Sequence, residues 1–508
     1  MGKRIELKME PNEFRLLVIT DVHHVPGADA PSLEFPQRRS DLAAELLRRA
    51  IDDAGHRGPF DAIALMGDLL DNGERPDSRT GLEQLRDVVL AAAPDSPLLL
   101  VPGNHDGDAD RLYGVFQCRP GLHAIGPYRF MVFADRYAPG DFCTRSEADR
   151  QALLDLAGQE GGPIIALQHN PMNPVIDEPA YPYMLTNRPE VMADYHRAGV
   201  LLSLSGHAHW GQELNFERGV GYFTCQALCE SPYHYAVVAL RGRKVSISTH
   251  RLHFSGSPPV VDVHVHTEFA FCGRGISAPR MIARSRDFGL AGLVLTEHVP
   301  QLYVQADDFW NGRHVRQIGL WRDPAHWRIE AFRAAMDPVR DGSYVKIGLE
   351  VEVDAAGELI LRDEDRNWAD VLVGAVHFLP HDSQSLSDEQ MAEEFMKATG
   401  ALLKAGVHVL AHPLRVFGWS KRATPPEVFD PLAKMLAKAG VAAEINFHLN
   451  RQHEEFFRRC IERGVKIAFG SDSHEIHEAG NLGANLDLVQ RIADRQDVRD
   501  LLYYPRAK

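Results

Sequence analysis

Short apolar runs, each followed at once by histidine, acidic or amide residues, recur along the whole 508-residue chain. Five of them precede residue 254 and seven follow residue 259. Continuous apolar runs bounded by turn residues indicate buried strands, and helical patterns such as residues 38–54 and 388–404 separate many of them. Open α/β sheets place their sites at strand ends. We therefore predict an α/β protein whose polar residues meet at those ends.

Residues 254–259 interrupt this pattern with small residues and two prolines. Such a composition continues neither a helix nor a central strand. The chain is also too long for one ordinary core, which favours two domains of about 250 residues each. We predict a first domain over residues 12–254, a linker over 255–259 and a second domain over 260–508.

The composition favours a soluble cytoplasmic protein over membrane-spanning and nucleic-acid-binding classes. No apolar run approaches the roughly 20 residues that cross a bilayer. Six widely spread cysteines suit a reducing cytoplasm. The formal net charge of −15 argues against a large non-specific surface for nucleic acid, which would need a basic stripe.

The polar residues that end the first five runs are of the types that bind metal ions. They are Asp21 and His23, Asp68 and Asp71, Asn104 with His105 and Asp106, His169, and His207 with His209. Two divalent ions about 3.5–4 Å apart can clamp a phosphoryl group for in-line displacement. Asp68 follows a glycine and is the best candidate to span both ions. A histidine beside the ions would protonate the leaving oxygen.

The ordered set Asp-x-His, Gly-Asp-x-x-Asp, Gly-Asn-His-Asp, His and Gly-His-x-His resembles the calcineurin-like metallophosphoesterase family. The resemblance spans residues 12–254 and implies an α/β-sandwich. It implies one ion held by Asp21, His23, Asp68 and His209, and a second held by Asp68, Asn104, His169 and His207. It also implies that His105 contacts the leaving group or phosphate and that Asp106 orients the ligands.

The seven apolar runs after residue 259 alternate with helical patterns, which suggests a parallel barrel with function at its carboxyl end. Each run again ends in residues of ligand type. These are His264 and His266, Glu297 and His298, Glu350, His377, His412, Glu444 and Asn446, and Asp472 with His474. His264 and His266 lie two apart in a strand, so both can face one ion.

This second pattern resembles the PHP (polymerase and histidinol phosphatase) family, in its histidinol-phosphatase-like branch. The resemblance spans residues 260–508 and implies a distorted (β/α)7 barrel with two or three metal ions. The implied ligands are His264, His266, His298, Glu350, His377, His412, Asp472 and His474. Glu352 remains a rival to Glu350. Mixed histidine and carboxylate ligands suit manganese, iron or zinc in both halves.

Two arginines are candidates for binding substrate phosphate in the second half. Arg274 stands where the family usually has a further histidine, and arginine binds phosphate rather than metal. Either the third metal is lost or weakened, or Arg274 takes over its electrostatic role. Arg415 follows His412-Pro413-Leu414. Both remain open to a purely structural role.

Residues 301–328 form an enlarged segment after His298 that contains Trp310, Trp321 and Trp327 among several arginines. Aromatic and basic residues together can stack a base and contact phosphate. The alternative is a helical cover whose tryptophans pack on the barrel. The sequence favours neither.

The sequence predicts a metal-dependent phosphoric ester hydrolase with two sites. The first would cleave a phosphodiester or cyclic phosphate, and the second a phosphomonoester, in sequence on a nucleotide-like small molecule. One alternative is a nuclease or repair enzyme that processes polynucleotide ends, although the acidic charge counts against it. Another makes one half a metal-stabilised scaffold, which metal analysis would detect.

Overall fold

The computed structural model describes residues 13–28, 35, 37–176, 181–252, 258–476 and 478–506. The chain divides into two compact units, Met1–Leu252 and His253–Lys508. Residue 12, residues 253–257 with most of the predicted linker, and residues 507–508 lie outside the described residues. None of the described helices has the length and apolar character needed to cross a membrane.

The first unit is an α/β-sandwich of two sheets, as the sequence predicts. Its strands are β1 Phe14–Ile19, β2 Ala62–Leu65, β3 Leu98–Leu100, β4 Gly121–Ile125, β5 Tyr128–Val132, β6 Arg136–Ala138, β7 Phe142–Thr144, β8 Ile164–Leu167, β9 Leu202–Ser205, β10 Gln212–Glu217, β11 Val220–Thr224, β12 His234–Arg241 and β13 Lys244–Arg251. Its helices are α1 Ala43–Arg57, α2 Ser78–Ala92, α3 Ala109–Phe116, α4 Glu147–Ala157 and α5 Arg188–Ala198. The sheet orders are β13-β12-β1-β2-β3 and β10-β11-β9-β8-β5-β4, and β6 pairs with β7.

The alternation of side chains along the strands explains the layers of the sandwich. Successive residues of a strand point to opposite faces. Ile165 and Leu167 of β8 therefore join the core between the two sheets, whereas Ile164 and Ala166 pack with α4 and α5 on the outer face. Because both faces are covered, β8 is apolar throughout and only its carboxyl end is free for polar residues.

The second unit is a closed barrel of seven parallel strands, which confirms the predicted fold. The strands are β14 Val261–Val265, β15 Gly292–His298, β16 Val345–Val351, β17 Val371–Gly374, β18 Val409–Leu410, β19 Ala442–Ile445 and β20 Ile467–Phe469. The helices are α6 Ala278–Asp287, α7 Val299–Tyr303, α8 Ala306–Trp310, α9 Arg313–Arg316, α10 Ile329–Met336, α11 Asp363–Trp368, α12 Asp388–Lys404, α13 Arg415–Trp419, α14 Phe429–Ala439, α15 Glu454–Glu462 and α16 Gly483–Ala493. Short 3-10 turns cover Leu320–Arg322, Pro324–His326, Ser383–Ser385 and Pro426–Val428.

Small residues fill the barrel interior and lead directly to the polar residues at its carboxyl end. Val294 and Ala375 belong to the interior cluster, while Leu295 faces the surrounding helices. His298 lies four residues after Val294, and His377 lies two residues after Ala375. Since side chains on one face of a strand are two residues apart, His298 continues the interior face of β15. His377 follows the end of β17 at Gly374.

Candidate metal centres

The predicted ligands of the first unit follow the carboxyl ends of β1, β2, β3, β8 and β9. Oδ2 of Asp68 lies 3.7 Å from Nε2 of His23 and 3.3 Å from Nε2 of His169. Nε2 of His209 is 3.3 Å from Nε2 of His23 and 3.4 Å from Oδ1 of Asp21. Ligand atoms of Asp68, His169 and His207 all lie within 4.8 Å of one another. Asp68 thus lies between two groups of histidines.

Several buried ligand atoms of this first cluster have no hydrogen-bond partner among the described residues. They are Oδ1 of Asp21, Oδ1 of Asn104, Nε2 of His169 and Nε2 of His207. Burying a polar atom without a partner is unfavourable. Carboxylate, amide and imidazole donors are suitable ligands for divalent transition metals. The donor set therefore fits the two ions that the sequence predicts.

The predicted ligands of the second unit surround Glu350. Oε2 of Glu350 lies 2.5 Å from Nδ1 of His298 and 3.4 Å from Nε2 of His264. Its Oε1 lies 3.0 Å from Nε2 of His412 and 3.4 Å from Nε2 of His377. All five side chains are buried. Glu350 is therefore placed to hold two ions, one with each oxygen.

Asp472 forms the other side of this second cluster. Its Oδ1 lies 2.9 Å from Nε2 of His266 and 3.5 Å from Nε2 of His264, and the His474 ring packs on His266 at 4.4 Å between centroids. Nε2 of His264, Nδ1 of His298 and Oε2 of Glu350 are buried and face one another, but none of the three forms a hydrogen bond of suitable geometry among the described residues. This donor set also fits divalent ions.

Six predicted ligands adopt the left-handed backbone region, which residues other than glycine rarely occupy. They are Asp21, His23, Asp68, His207, His412 and Asp472, with φ between 27° and 67°. Strained backbone of this kind concentrates at functional sites, where the surrounding structure enforces it. The backbone thus marks both clusters independently of their side chains.

Comparison with known families finds one match in each half of the chain. The calcineurin-like phosphoesterase model matches residues 14–211, and the PHP domain model matches residues 262–448. The chain carries one domain of each family. Both are phosphoesterase families, so the prediction of a metal-dependent phosphoric ester hydrolase is confirmed.

Solved structures similar to this chain include two phosphatases. A dimetal phosphatase from Danio rerio is 18% identical with a TM-score of 0.39, and the match covers 46% of this chain and 98% of that one. A histidinol phosphate phosphatase from Lactococcus lactis, complexed with zinc, L-histidinol and phosphate, is 15% identical with a TM-score of 0.32. That match covers 46% of this chain and 93% of the phosphatase. A search of curated protein sequences found no match.

In the PHP domain, the structure separates the rival glutamates Glu350 and Glu352. Oε1 of Glu352 lies 3.1 Å from Nδ1 of His377 and 3.3 Å from Nε2 of His314. It therefore holds the nitrogen of His377 that does not face Glu350. Glu350 occupies the centre of the cluster and Glu352 orients one of its histidines.

Further carboxylates orient the histidines in both domains. Such pairs are Glu230 with His209, Glu444 with His264 and Glu297 with His266, at oxygen to Nδ1 distances of 2.6, 2.9 and 3.2 Å. A carboxylate on one ring nitrogen fixes the ring and leaves the other nitrogen for a metal ion. Glu297 and Glu444 stand at strand ends in the sequence, whereas nothing in the sequence distinguishes Glu230.

Carboxylates raise the pKa of two of the predicted ligand histidines of the metallophosphoesterase domain, His209 and His169, whereas burial lowers the pKa of His23 and His207. Burial alone would lower the pKa of His209, but hydrogen bonds to Asp21 and Glu230 raise it to about 10. Burial is likewise outweighed at His169, where Asp68 raises the pKa to about 9. Metal ions and protons therefore compete for the same ring nitrogens.

His105 and Arg38 line a cavity of about 320 Å³ beside this cluster, together with Asn104. The backbone N–H of His105 donates to Oδ1 of Asp68 at 2.9 Å, and its Nδ1 lies 2.6 Å from the carbonyl oxygen of Asp71. These two contacts fix the His105 ring at the edge of the cavity. Nε of Arg38 is buried without a hydrogen-bond partner among the described residues. Sequence reasoning missed Arg38 because it stands at the start of a helical pattern.

Asp106 connects two loops of the metallophosphoesterase domain. Its Oδ1 accepts hydrogen bonds from the backbone N–H groups of Leu69 and Leu70 at 2.8 and 3.0 Å, and its Oδ2 accepts one from Gly103 at 2.8 Å. A Cβ atom on Gly103 would lie 2.1 Å from Oδ1 of Asp68, so only glycine fits there. Asp106 thus positions the loop that carries Asp68.

The variant Asp106→Ala is expected to lower the free energy of unfolding by about 2–4 kcal/mol, because each buried amide left without a partner costs about 1–3 kcal/mol. Burial and the Asp68 charge raise the pKa of Asp106 to about 6, because both disfavour its charged form. This cost reduces the net contribution of Asp106 to the free energy of unfolding. Urea unfolding measures the change. Asp87→Ala, at an exposed carboxylate of α2, is the control. Equal unfolding midpoints for the two variants would contradict this role.

Arg274 and Arg415, the two candidates for binding substrate phosphate, differ in exposure. The Arg274 side chain is 81% exposed, with Nη1 3.8 Å from Oε1 of Glu475. Arg415 is buried, and its Nη2 donates to Oδ1 of Asn446 at 3.0 Å and to Oδ2 of Asp472 at 2.5 Å. Arg415 therefore holds a predicted ligand, whereas Arg274 is accessible. Contact with substrate phosphate stays a prediction for both.

Proposed function

We propose that the metallophosphoesterase domain cleaves a phosphodiester or cyclic phosphate and that the PHP domain, over residues 260–508, hydrolyses a phosphomonoester. The two reactions act in sequence on one nucleotide-like small molecule. The observation that carries this proposal is the convergence of a phosphoesterase ligand set in each domain, with buried atoms that lack partners. Two such sites in one chain suit successive bonds of one substrate.

We assign the ligands as the family resemblance implies. Asp21, His23, Asp68 and His209 hold one ion of the first site, and Asp68, Asn104, His169 and His207 hold the other. His264, His266, His298, Glu350, His377, His412, Asp472 and His474 hold two or three ions in the PHP domain. The ions, manganese, iron or zinc, would supply charge that stabilises the phosphoryl oxygens and lowers the pKa of water.

Residues beside the first-site ligands handle the substrate and the proton. Nδ1 of His105 donates to the Asp71 carbonyl oxygen, which fixes the ring. In its imidazolium form, His105 gives the proton on Nε2 to the leaving oxygen and becomes neutral. Asp106 keeps the Asp68 loop in place. In the PHP domain, Arg274 and Arg415 bind the substrate phosphate, and Arg415 also holds Asp472 by a hydrogen bond.

A substrate screen of the purified protein with manganese tests this proposal. Phosphodiesters, cyclic nucleotides, nucleotide bisphosphates and sugar phosphates form the panel. We expect hydrolysis of at least one diester or cyclic phosphate and of one monoester. Faster cleavage of a short oligonucleotide than of any cyclic mononucleotide would favour the nuclease alternative instead.

The reconstituted protein is expected to contain about four or five divalent ions per chain, since two-metal sites hold a pair and the PHP site holds two or three. Elemental analysis after manganese loading and gel filtration measures this number. A value of about two would leave one domain without ions, and that domain would then be a scaffold without catalytic metals.

We place the enzyme in the cytoplasm. All six cysteines are free thiols, as is usual where glutathione keeps thiols reduced. Fractionation of cells followed by detection of the chain tests this location.

A further inference from the structure

Three of the six tryptophans, Trp210, Trp310 and Trp419, are exposed large hydrophobic side chains. Trp310 and Trp419 belong to the PHP domain, where they are 50% and 42% exposed. Both line one cavity of about 380 Å³. A volume of this order is typical of sites that hold small molecules.

The same cavity reaches the candidate metal centre of the PHP domain, because His298, His377 and His474 also line it. Its aromatic walls contact predicted ligands. The Phe309 ring lies 5.7 Å from the His298 ring, and Trp310 packs edge-on against Phe309 at 5.1 Å. On another wall, the Trp419 ring lies 5.6 Å from the His377 ring. Phe309 and Trp419 are therefore in direct contact with predicted metal ligands.

Packing explains other tryptophans of the enlarged segment but not Trp310. Trp321 is 5% exposed and stacks on Tyr303 at 5.7 Å. Nε1 of Trp327 donates to the carbonyl oxygen of Trp321 at 2.9 Å. These two side chains form the cover that was one interpretation of the sequence. Exposed apolar side chains rimmed by polar residues mark ligand sites, which describes Trp310 and Trp419.

We propose that Phe309, Trp310 and Trp419 form an aromatic subsite for a flat ring in the leaving alcohol of the monoester. The inference rests on the proposed phosphomonoesterase function of this domain and narrows its substrates to aryl- or heteroaryl-bearing monoesters. Hydrolysis breaks the bond between phosphorus and the leaving oxygen, a water oxygen takes its place, and one water proton ends on the released alcohol. The phosphate lies at the histidines while the ring stacks on the tryptophans.

Steady-state kinetics of the full chain with manganese test the subsite. The substrates are 2-phenylethyl phosphate, adenosine monophosphate and glycerol phosphate, so that an aryl and a nucleobase source are compared with an aliphatic one. We expect the kcat/KM ratio of an aromatic substrate to glycerol phosphate to exceed one. Trp310→Ala and Trp419→Ala should each lower that ratio roughly 5- to 150-fold, the range that loss of a stacked ring produces.

Trp210→Ala is the matched control, because Trp210 is 56% exposed but belongs to the other domain. In Trp210→Ala, the kcat/KM ratio of an aromatic substrate to glycerol phosphate should equal that of the wild type. Equal ratios in Trp310→Ala, Trp419→Ala and the wild type, with unchanged thermal unfolding, would overturn the inference.

Calorimetric titration with 2-phenylethyl phosphate separates this inference from the proposed function. If no monoester is hydrolysed but both tryptophan variants bind the aromatic ester at least fivefold more weakly, the subsite stands and the proposed reaction is wrong. If monoesters are hydrolysed and binding is equal in all variants, the reaction stands and the subsite is wrong.

Discussion

Replacing Asp68 with asparagine is expected to lower kcat for a phosphodiester by about 100- to 1,000-fold or more, the effect of removing one preorganised electrostatic group. Asp68 is the carboxylate that lies between His23 and His169, at 3.7 and 3.3 Å. Asparagine keeps the shape and an oxygen for the backbone N–H of His105 but loses the negative charge. Initial rates with a chromogenic diester measure the loss.

Asp87→Asn is the matched control for this experiment, because Asp87 is 66% exposed on α2. It should retain the diester activity of the wild type. The Asp68→Asn protein should in turn retain monoester hydrolysis, which belongs to the other domain. Full diester activity in Asp68→Asn would show that the proposed first site is not where the diester reacts.

Replacing Asp472 with asparagine is expected to lower kcat for a phosphomonoester by a similar factor, about 100- to 1,000-fold. Oδ1 of Asp472 faces His266 and His264 at 2.9 and 3.5 Å, while Oδ2 accepts a hydrogen bond from the buried Arg415. The variant leaves the Arg415 charge unpaired. Breaking a buried ion pair costs about 3–5 kcal/mol, so the urea midpoint should fall as well.

Because stability changes too, the Asp472→Asn measurement needs two safeguards. Diester hydrolysis by the same protein should stay at the wild-type level, which shows that the first domain is intact. Asp497→Asn, at a carboxylate that is 60% exposed, should change neither activity nor stability. Monoester turnover that survives in a folded Asp472→Asn protein would exclude the proposed PHP reaction.

The positions of the predicted ligands could be read from the sequence because their signals are local. His298 and His377 follow apolar runs, and the alternation along β15 assigns His298 to the interior face of the barrel. The glycine before Asp68 marks a tight turn in the same way. Each signal lies within a few residues of the ligand it identifies.

Contacts between residues far apart in the chain could not be read in this way. The choice between Glu350 and Glu352 depends on which of them faces the histidines of other strands. Glu230 was identified only through its contact with His209. Arg415 was a candidate in the sequence, but its hydrogen bond to Asp472, 57 residues away, is seen only in the structure.

By itself, the sequence predicted the two folds and the residues of both candidate metal centres, because apolar runs, turn residues and the motifs shared with two families are all local signals. Only the tertiary structure decided which carboxylates hold the histidines and which arginine is accessible. It also decided which tryptophans line the cavity beside the candidate metal centre of the PHP domain. Hydrogen bonds such as that between His264 and Glu444 join residues 180 positions apart, and no local pattern specifies such a pair.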